Sequence, residues 1–132
     1  MRRKNYHRRS GLVVVELALT LPILFLLMFA SYELSRANLL RHAARASAYE
    51  GARVGILPGA NSDQVKSAVR FTLASIGVRD AKITVTPKDI KARSPTIRVD
   101  VNIEAKKNFF FAPFFFRDGE FSGDCELSRE VF

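Results

Sequence analysis

Residues 12–32 read LVVVELALTLPILFLLMFASY, and in this run only Glu16, Thr20, Pro22 and Ser31 depart from apolar or aromatic character. As a helix rising about 1.5 Å per residue it is about 31 Å long, close to the ~30 Å hydrocarbon core of a bilayer. The chain has 132 residues in all, enough for one small core and not for a second. A run of this length is therefore expected to cross a membrane once. A secretory signal peptide is the rival, but its apolar core spans roughly 7–15 residues and ends at an A-x-A-like site, which Met28-Phe29-Ala30 matches poorly. Arg8-Arg9 suggest a twin-arginine export signal, yet Ser10-Gly11 follow in place of the hydrophobic residues such a signal needs.

The charge lies mostly ahead of this run. Of the 21 Lys and Arg, five (Arg2, Arg3, Lys4, Arg8 and Arg9) fall in the first eleven residues, which hold no acid; without them 16 basic residues face 13 acidic ones. Beyond the run, Arg36, Arg41 and Arg45 are spread out and partly offset by Glu33 and Glu50. The positive-inside rule then predicts a cytoplasmic N-terminus, with the remaining chain across the membrane.

Glu16 is the residue a membrane span should not contain, because a charged side chain at mid-span costs about 2.5–3.5 kcal/mol on insertion scales. One reading places it near the interface, reaching for water. The other follows from Gly11: if the chain is cut after that residue, Leu12 carries a free ammonium and Glu16 is the fifth residue, about 6 Å farther along the helix. Its carboxylate then lies near the positive end of the helix dipole and pairs with its own amine or with that of a neighbouring helix. Pro22 removes one backbone donor and crowds the Ala18 carbonyl, so a kink is expected. It reads either as a tolerated membrane proline or as a flexible point used when a subunit leaves the bilayer.

A basic leader, Gly11, and then Leu12-Val13-Val14-Val15-Glu16 resemble the class III prepilin processing motif. The continuation Glu16-Leu17-Ala18-Leu19-Thr20-Leu21-Pro22, followed by Asn38, Ala43-Ala44-Arg45 and Gly51-Ala52-Arg53, is similar to the TadE-like pseudopilins of tight adherence (Flp pilus) systems. The likeness covers roughly residues 8–53. No tyrosine stands beside Glu16, unlike in the major Flp pilins, which points to a minor component. The resemblance implies a single-pass protein of the bacterial inner membrane, trimmed by a prepilin peptidase between Gly11 and Leu12. It also implies that Glu16 and Pro22 serve assembly with other pilins or pseudopilins and the assembly platform, in a system that mediates secretion, surface adhesion and biofilm formation. The chain divides accordingly into a leader (1–11), a long helix (12–50) and a small extracytoplasmic head (51–132). The alternative is an uncleaved, membrane-anchored protein that binds a partner through its head.

The fold class read from the rest is α+β. Residues 33–48 hold no Gly or Pro and are rich in Ala, Leu and Arg, so the helix is predicted to run on to about Tyr49. Leu34, Ala37, Leu40, Ala44 and Ala48 make a narrow stripe of mostly small residues, with Arg41 and Arg45 on the solvated side. Gly51, Gly55, Pro58 and Gly59 read as a break. Asn61 and Gln64 have capping-box spacing for a second helix, with Val65, Ala68, Val69, Thr72, Leu73 and Ile76 on one face and Gly77 as its stop. After that the period changes to two: Ile83 and Val85, then Ile97, Val99, Val101 and Ile103, alternate with polar residues and predict two strands. A third spans 121–131, where Phe121, Cys125, Leu127 and Val131 share parity and Cys125 reads as a small core residue.

Six of the 11 Phe fall within residues 109–116: Phe109, Phe110, Phe111, Phe114, Phe115 and Phe116. One strand or loop cannot turn every ring inward. Either half of the rings fill the core and the rest pack under a loop, or the run forms an exposed patch, with subunit contact favoured over lipid. His7 and His42 stand apart from any carboxylate cluster, and there is no Ser/His/Asp set or Gly-rich phosphate loop. No catalytic, cofactor or metal site, no small-molecule substrate and no nucleic-acid partner are expected. A lone Cys125 excludes an internal disulfide.

Overall fold

A computed structural model describes residues 7–88, 90, 95–109, 116 and 118–129, with side chains from residue 11 onward. Helix α1 (His7–Gly55) is 49 residues long, about 74 Å at 1.5 Å per residue, and continues through Pro22. It is followed by α2 (Ser62–Ser75), β1 (Ala81–Thr86), β2 (Thr96–Glu104), a single turn α3 (Ala105–Asn108) and β3 (Glu120–Ser128). The strands form one antiparallel sheet in the order β1-β2-β3, with Val85 opposite Val99, Val99 opposite Cys125 and Ile103 opposite Phe121. The α+β class and the three antiparallel strands are as the sequence predicts.

Period-two alternation gives the sheet its two faces. Val85, Ile97, Val99, Val101, Ile103 and Phe121 are buried against the helices. The outer face carries Arg98 between Asp100 and Asp124, at 3.2 Å from each, and Asn102, which donates to Glu120 at 3.0 Å. α2 starts on the predicted capping box: Gln64 N–H donates to Asn61 Oδ1 at 2.8 Å, and Asn61 N–H to Gln64 Oε1 at 3.1 Å. It stops in a Schellman motif, with Val78 N–H on Leu73 C=O and Gly77 N–H on Ala74 C=O, both at 3.0 Å, and Gly77 at φ +73°. Its predicted face is buried at Val65, Val69 and Leu73 and half-buried at Ala68, Thr72 and Ile76.

Three expectations are corrected. α1 does not end near Tyr49 but passes Gly51 and reaches Gly55. These glycines are packing devices: a Cβ on Gly51 would lie 2.5 Å from Val69 Cγ2, and one on Gly55 3.0 Å from Ile97 Cγ2. Close approach of α2 and β2 offsets the ~1 kcal/mol that glycine costs a helix. Second, Leu34 is exposed while Ala37, Leu40, Ala44 and Ala48 are buried. The buried face runs through Glu33, Ala37, Leu40, Ala44, Ser47 and Gly51, and at 3.6 residues per turn Leu34 points about 100° away from Glu33. Third, β3 closes at Ser128, with Cys125 and Leu127 only half-buried; Val131 lies outside the described residues.

Gly123 lies where β3 crosses close to α1. A Cβ there would overlap the backbone of Ala44 and Arg45 in α1, so strand and helix touch main chain to main chain. The small residues of α1 make that approach possible.

Candidate functional site

Every residue from 11 to 29 is exposed, so none of the described residues of the head covers this arm. Its most apolar 18-residue window has a mean hydropathy of 2.6, and none of that window is buried. Soluble monomers rarely expose contiguous apolar patches above a few hundred Å² (order of magnitude), and this arm is apolar on all sides. Among the described residues, α1 supplies one helix long and apolar enough to cross a membrane. Two hydroxyl side chains of the arm bond back to the helix. Thr20 Oγ1 donates to the carbonyls of Glu16 at 3.0 Å and Leu17 at 3.2 Å, and Ser31 Oγ to that of Leu27 at 2.8 Å.

Gly11, Leu12, Glu16 and Pro22 all lie on this arm. Glu16 is exposed, one helical turn beyond Leu12. Gly11 is helical, and a Cβ added to it would meet nothing within 4 Å, so no neighbour among the described residues requires a glycine there. Of the Phe run, Phe109 and Phe116 are half-buried against the core, and the Phe116 ring lies 6.4 Å from that of Phe121. Phe110, Phe111, Phe114 and Phe115 lie outside the described residues.

Two arginines fasten the helix to the head. At the lower end, Arg36 Nε donates to Asn108 C=O at 3.0 Å and Nη2 to Gly77 C=O at 3.4 Å. Asn108 is buried and also accepts from Arg79 N–H on Oδ1 at 2.6 Å, while its Nδ2 donates to Glu104 C=O at 3.0 Å. At the upper end, Arg129 donates to the carbonyls of Gly55 and Leu57 at 2.9 Å and of Ile56 at 3.0 Å. A cation thus sits on orphan carbonyls at the negative end of the helix dipole. Sequence reasoning misses Arg36, Asn108 and Arg129 as structural ties. The one available signal is the general need of a long helix for a partner at its C-terminal carbonyls.

Cys125 is half-buried, and burial, helped by the neighbouring Asp124 carboxylate, pushes its thiol above the ordinary range. Among the described residues no group of three or more His, Cys, Asp and Glu is placed to hold a metal ion.

The family model for TadE-like protein matches residues 11–53. The match begins at Gly11, takes in Leu12, Glu16 and Pro22, and stops two residues short of the end of α1. That family is associated with tight adherence pilus systems and is not a known enzyme family. No curated protein and no solved structure matches the chain.

Proposed function

We propose that this chain is a minor pseudopilin of a tight adherence, Flp-type pilus system, held in the bacterial inner membrane by residues 12–32 with its N-terminus in the cytoplasm. In this reading residues 1–11 are a leader, which a prepilin peptidase removes after Gly11. The long helix then packs with other pilins or pseudopilins at the assembly platform, and the head lies outside the cytoplasm. The reaction belongs to the peptidase, and this chain is its substrate. Pilus assembly, secretion and surface adhesion are the processes it serves.

The observation that carries the reading is Gly11. Glycine in a helix costs about 1 kcal/mol relative to alanine, and here no packing contact among the described residues and no left-handed backbone explains it. A residue unneeded by its own fold, at the edge of a basic leader and at the start of the TadE-like match, is what an external enzyme would read.

The test is the intact mass of the full chain purified from membranes of a host with and without the matching prepilin peptidase. The expected mature protein starts at Leu12 only when the peptidase is present, and Gly11→Leu abolishes the cut. Recovery of Met1 with an active peptidase supports the uncleaved, membrane-anchored interaction protein instead. A second measurement addresses Glu16. Once Leu12 bears an ammonium in lipid, removing its carboxylate partner costs about 3–5 kcal/mol. Glu16→Leu should therefore be cut normally yet fail to join the assembly; wild-type incorporation of that variant sinks the pairing role.

A further inference from the structure

Where the arm enters the head there is an open cavity of about 490 Å³, lined by Tyr32, Arg36, Arg79, Lys107, Asn108 and Phe109. Its position follows from the topology. α2 ends at Ser75, β1 begins at Ala81 and β2 ends at Glu104, so the cavity opens at the end of the head from which the apolar arm emerges. Tyr32 closes the apolar run, and Arg36 lies one helical turn, about 6 Å, farther on. With residues 12–32 in hydrocarbon, this is the level of the lipid phosphates.

The lining has the chemistry of that layer. Among the described lining residues three are basic and none is acidic. Arg36 uses two N–H groups on backbone carbonyls and so is held in place with donors to spare, since a guanidinium has five. The Arg79 backbone is pinned by buried Asn108, while its exposed guanidinium has no partner among the described residues. Lys107 Nζ lies 3.2 Å from Glu104 and 3.9 Å from Asp80. Both carboxylates are more than half exposed, and such surface pairs hold weakly enough to exchange for a phosphate. Tyr32 supplies an aromatic ring of the kind enriched at membrane interfaces, and Phe109 adds an apolar ring beside it.

We propose that this cavity binds the phosphate headgroup of an anionic phospholipid in the leaflet on the head's side of the membrane. Arg36, Arg79 and Lys107 take the phosphate, and the two rings lie against the glycerol region. Bound lipid seats the lower rim of the head on the bilayer and restricts how far α1 tilts. The assignment rests on the membrane reading of the arm.

The test uses the full chain in nanodiscs of phosphatidylcholine alone or of phosphatidylcholine with a third of phosphatidylglycerol, read by amide hydrogen exchange over residues 76–80 and 105–109. Phosphatidylglycerol should slow exchange there about 5-fold, the strengthening one basic residue gains near an anionic surface. Arg79→Gln/Lys107→Gln should lose that protection, while Lys66→Gln/Lys88→Gln, which removes the same charge elsewhere on the head, should keep it. Equal exchange in both discs, equal loss in both double variants, or full protection by inorganic phosphate in phosphatidylcholine discs overturns the lipid site. Failure of the chain to enter discs at all is a separate result: it overturns the membrane reading itself, and the proposal with it.

Discussion

The two halves of α1 are one continuous helix with opposite surroundings. From residue 11 to 29 every residue is exposed and most are large and apolar; from Ala37 upward one face is closed by α2, β2 and β3, and apart from Leu40 the buried residues on it are small. Leu40, Ala44, Ala48 and Ala52 have no exposed surface, whereas Leu12 and Leu19 are about 70% exposed. Apolar character on all sides suits a helix surrounded by lipid or by other helices, while a narrow stripe of alanines suits a helix pressed against a sheet. Hydrophobicity alone therefore does not say what a segment packs against. Its angular spread around the helix and the size of the side chains do.

Glycine offers the sharpest way to break the comparison. Gly123→Leu should drive a side chain into the Ala44 and Arg45 backbone and destabilise the head by about 3 kcal/mol, seen as a large fall in melting temperature. Gly11→Leu, placed in open space on the arm, should leave head melting unchanged. If both variants melt alike, the two halves are not energetically distinct.

A smaller effect is expected at the top of the helix. Arg129→Gln removes charge-assisted bonds to three carbonyls, worth about 2 kcal/mol together after solvation of the freed groups. Hydrogen exchange should rise first around residues 55–57, with the arm unaffected. An unchanged melting temperature would mean that water replaces the cap without loss.

The smallest effect is at Cys125. Its thiol is raised, so the folded head holds less thiolate than an ordinary cysteine at mildly alkaline pH. Alkylation should be slower than for the unfolded chain, and the gap should narrow as pH rises past the folded-state value. The same sign makes folding slightly less favourable as pH climbs through the thiol range, because the unfolded chain loses that proton first. Equal alkylation rates in folded and unfolded protein would place Cys125 outside the packed face.

Much of the fold is legible in order along the chain. The apolar run, the Asn61 and Gln64 cap, the Gly77 stop and the period-two strands each depend on neighbours within a few residues, so local spacing carries them. Gly51 and Gly55 read as a break because a glycine has the same local signature whether it ends a helix or admits a neighbour. Leu34 reads as part of the buried stripe because apolar spacing of three and four tolerates a residue at its edge. Arg36, Asn108 and Arg129 leave no local trace: the two arginines meet partners about 70 residues away.

What the sequence by itself determined is the character of each segment: a helix apolar all round and of membrane length, a glycine at the end of a basic stretch, a second capped helix and alternating strands. These follow from covalent neighbours, side-chain size and solvation. Only the tertiary structure decided where α1 ends, which face of it is buried, that Gly123 meets its backbone, and that Tyr32, Arg36, Arg79 and Lys107 converge beside the arm. Those depend on distances between segments remote in the chain, set by how closely helix and sheet can approach.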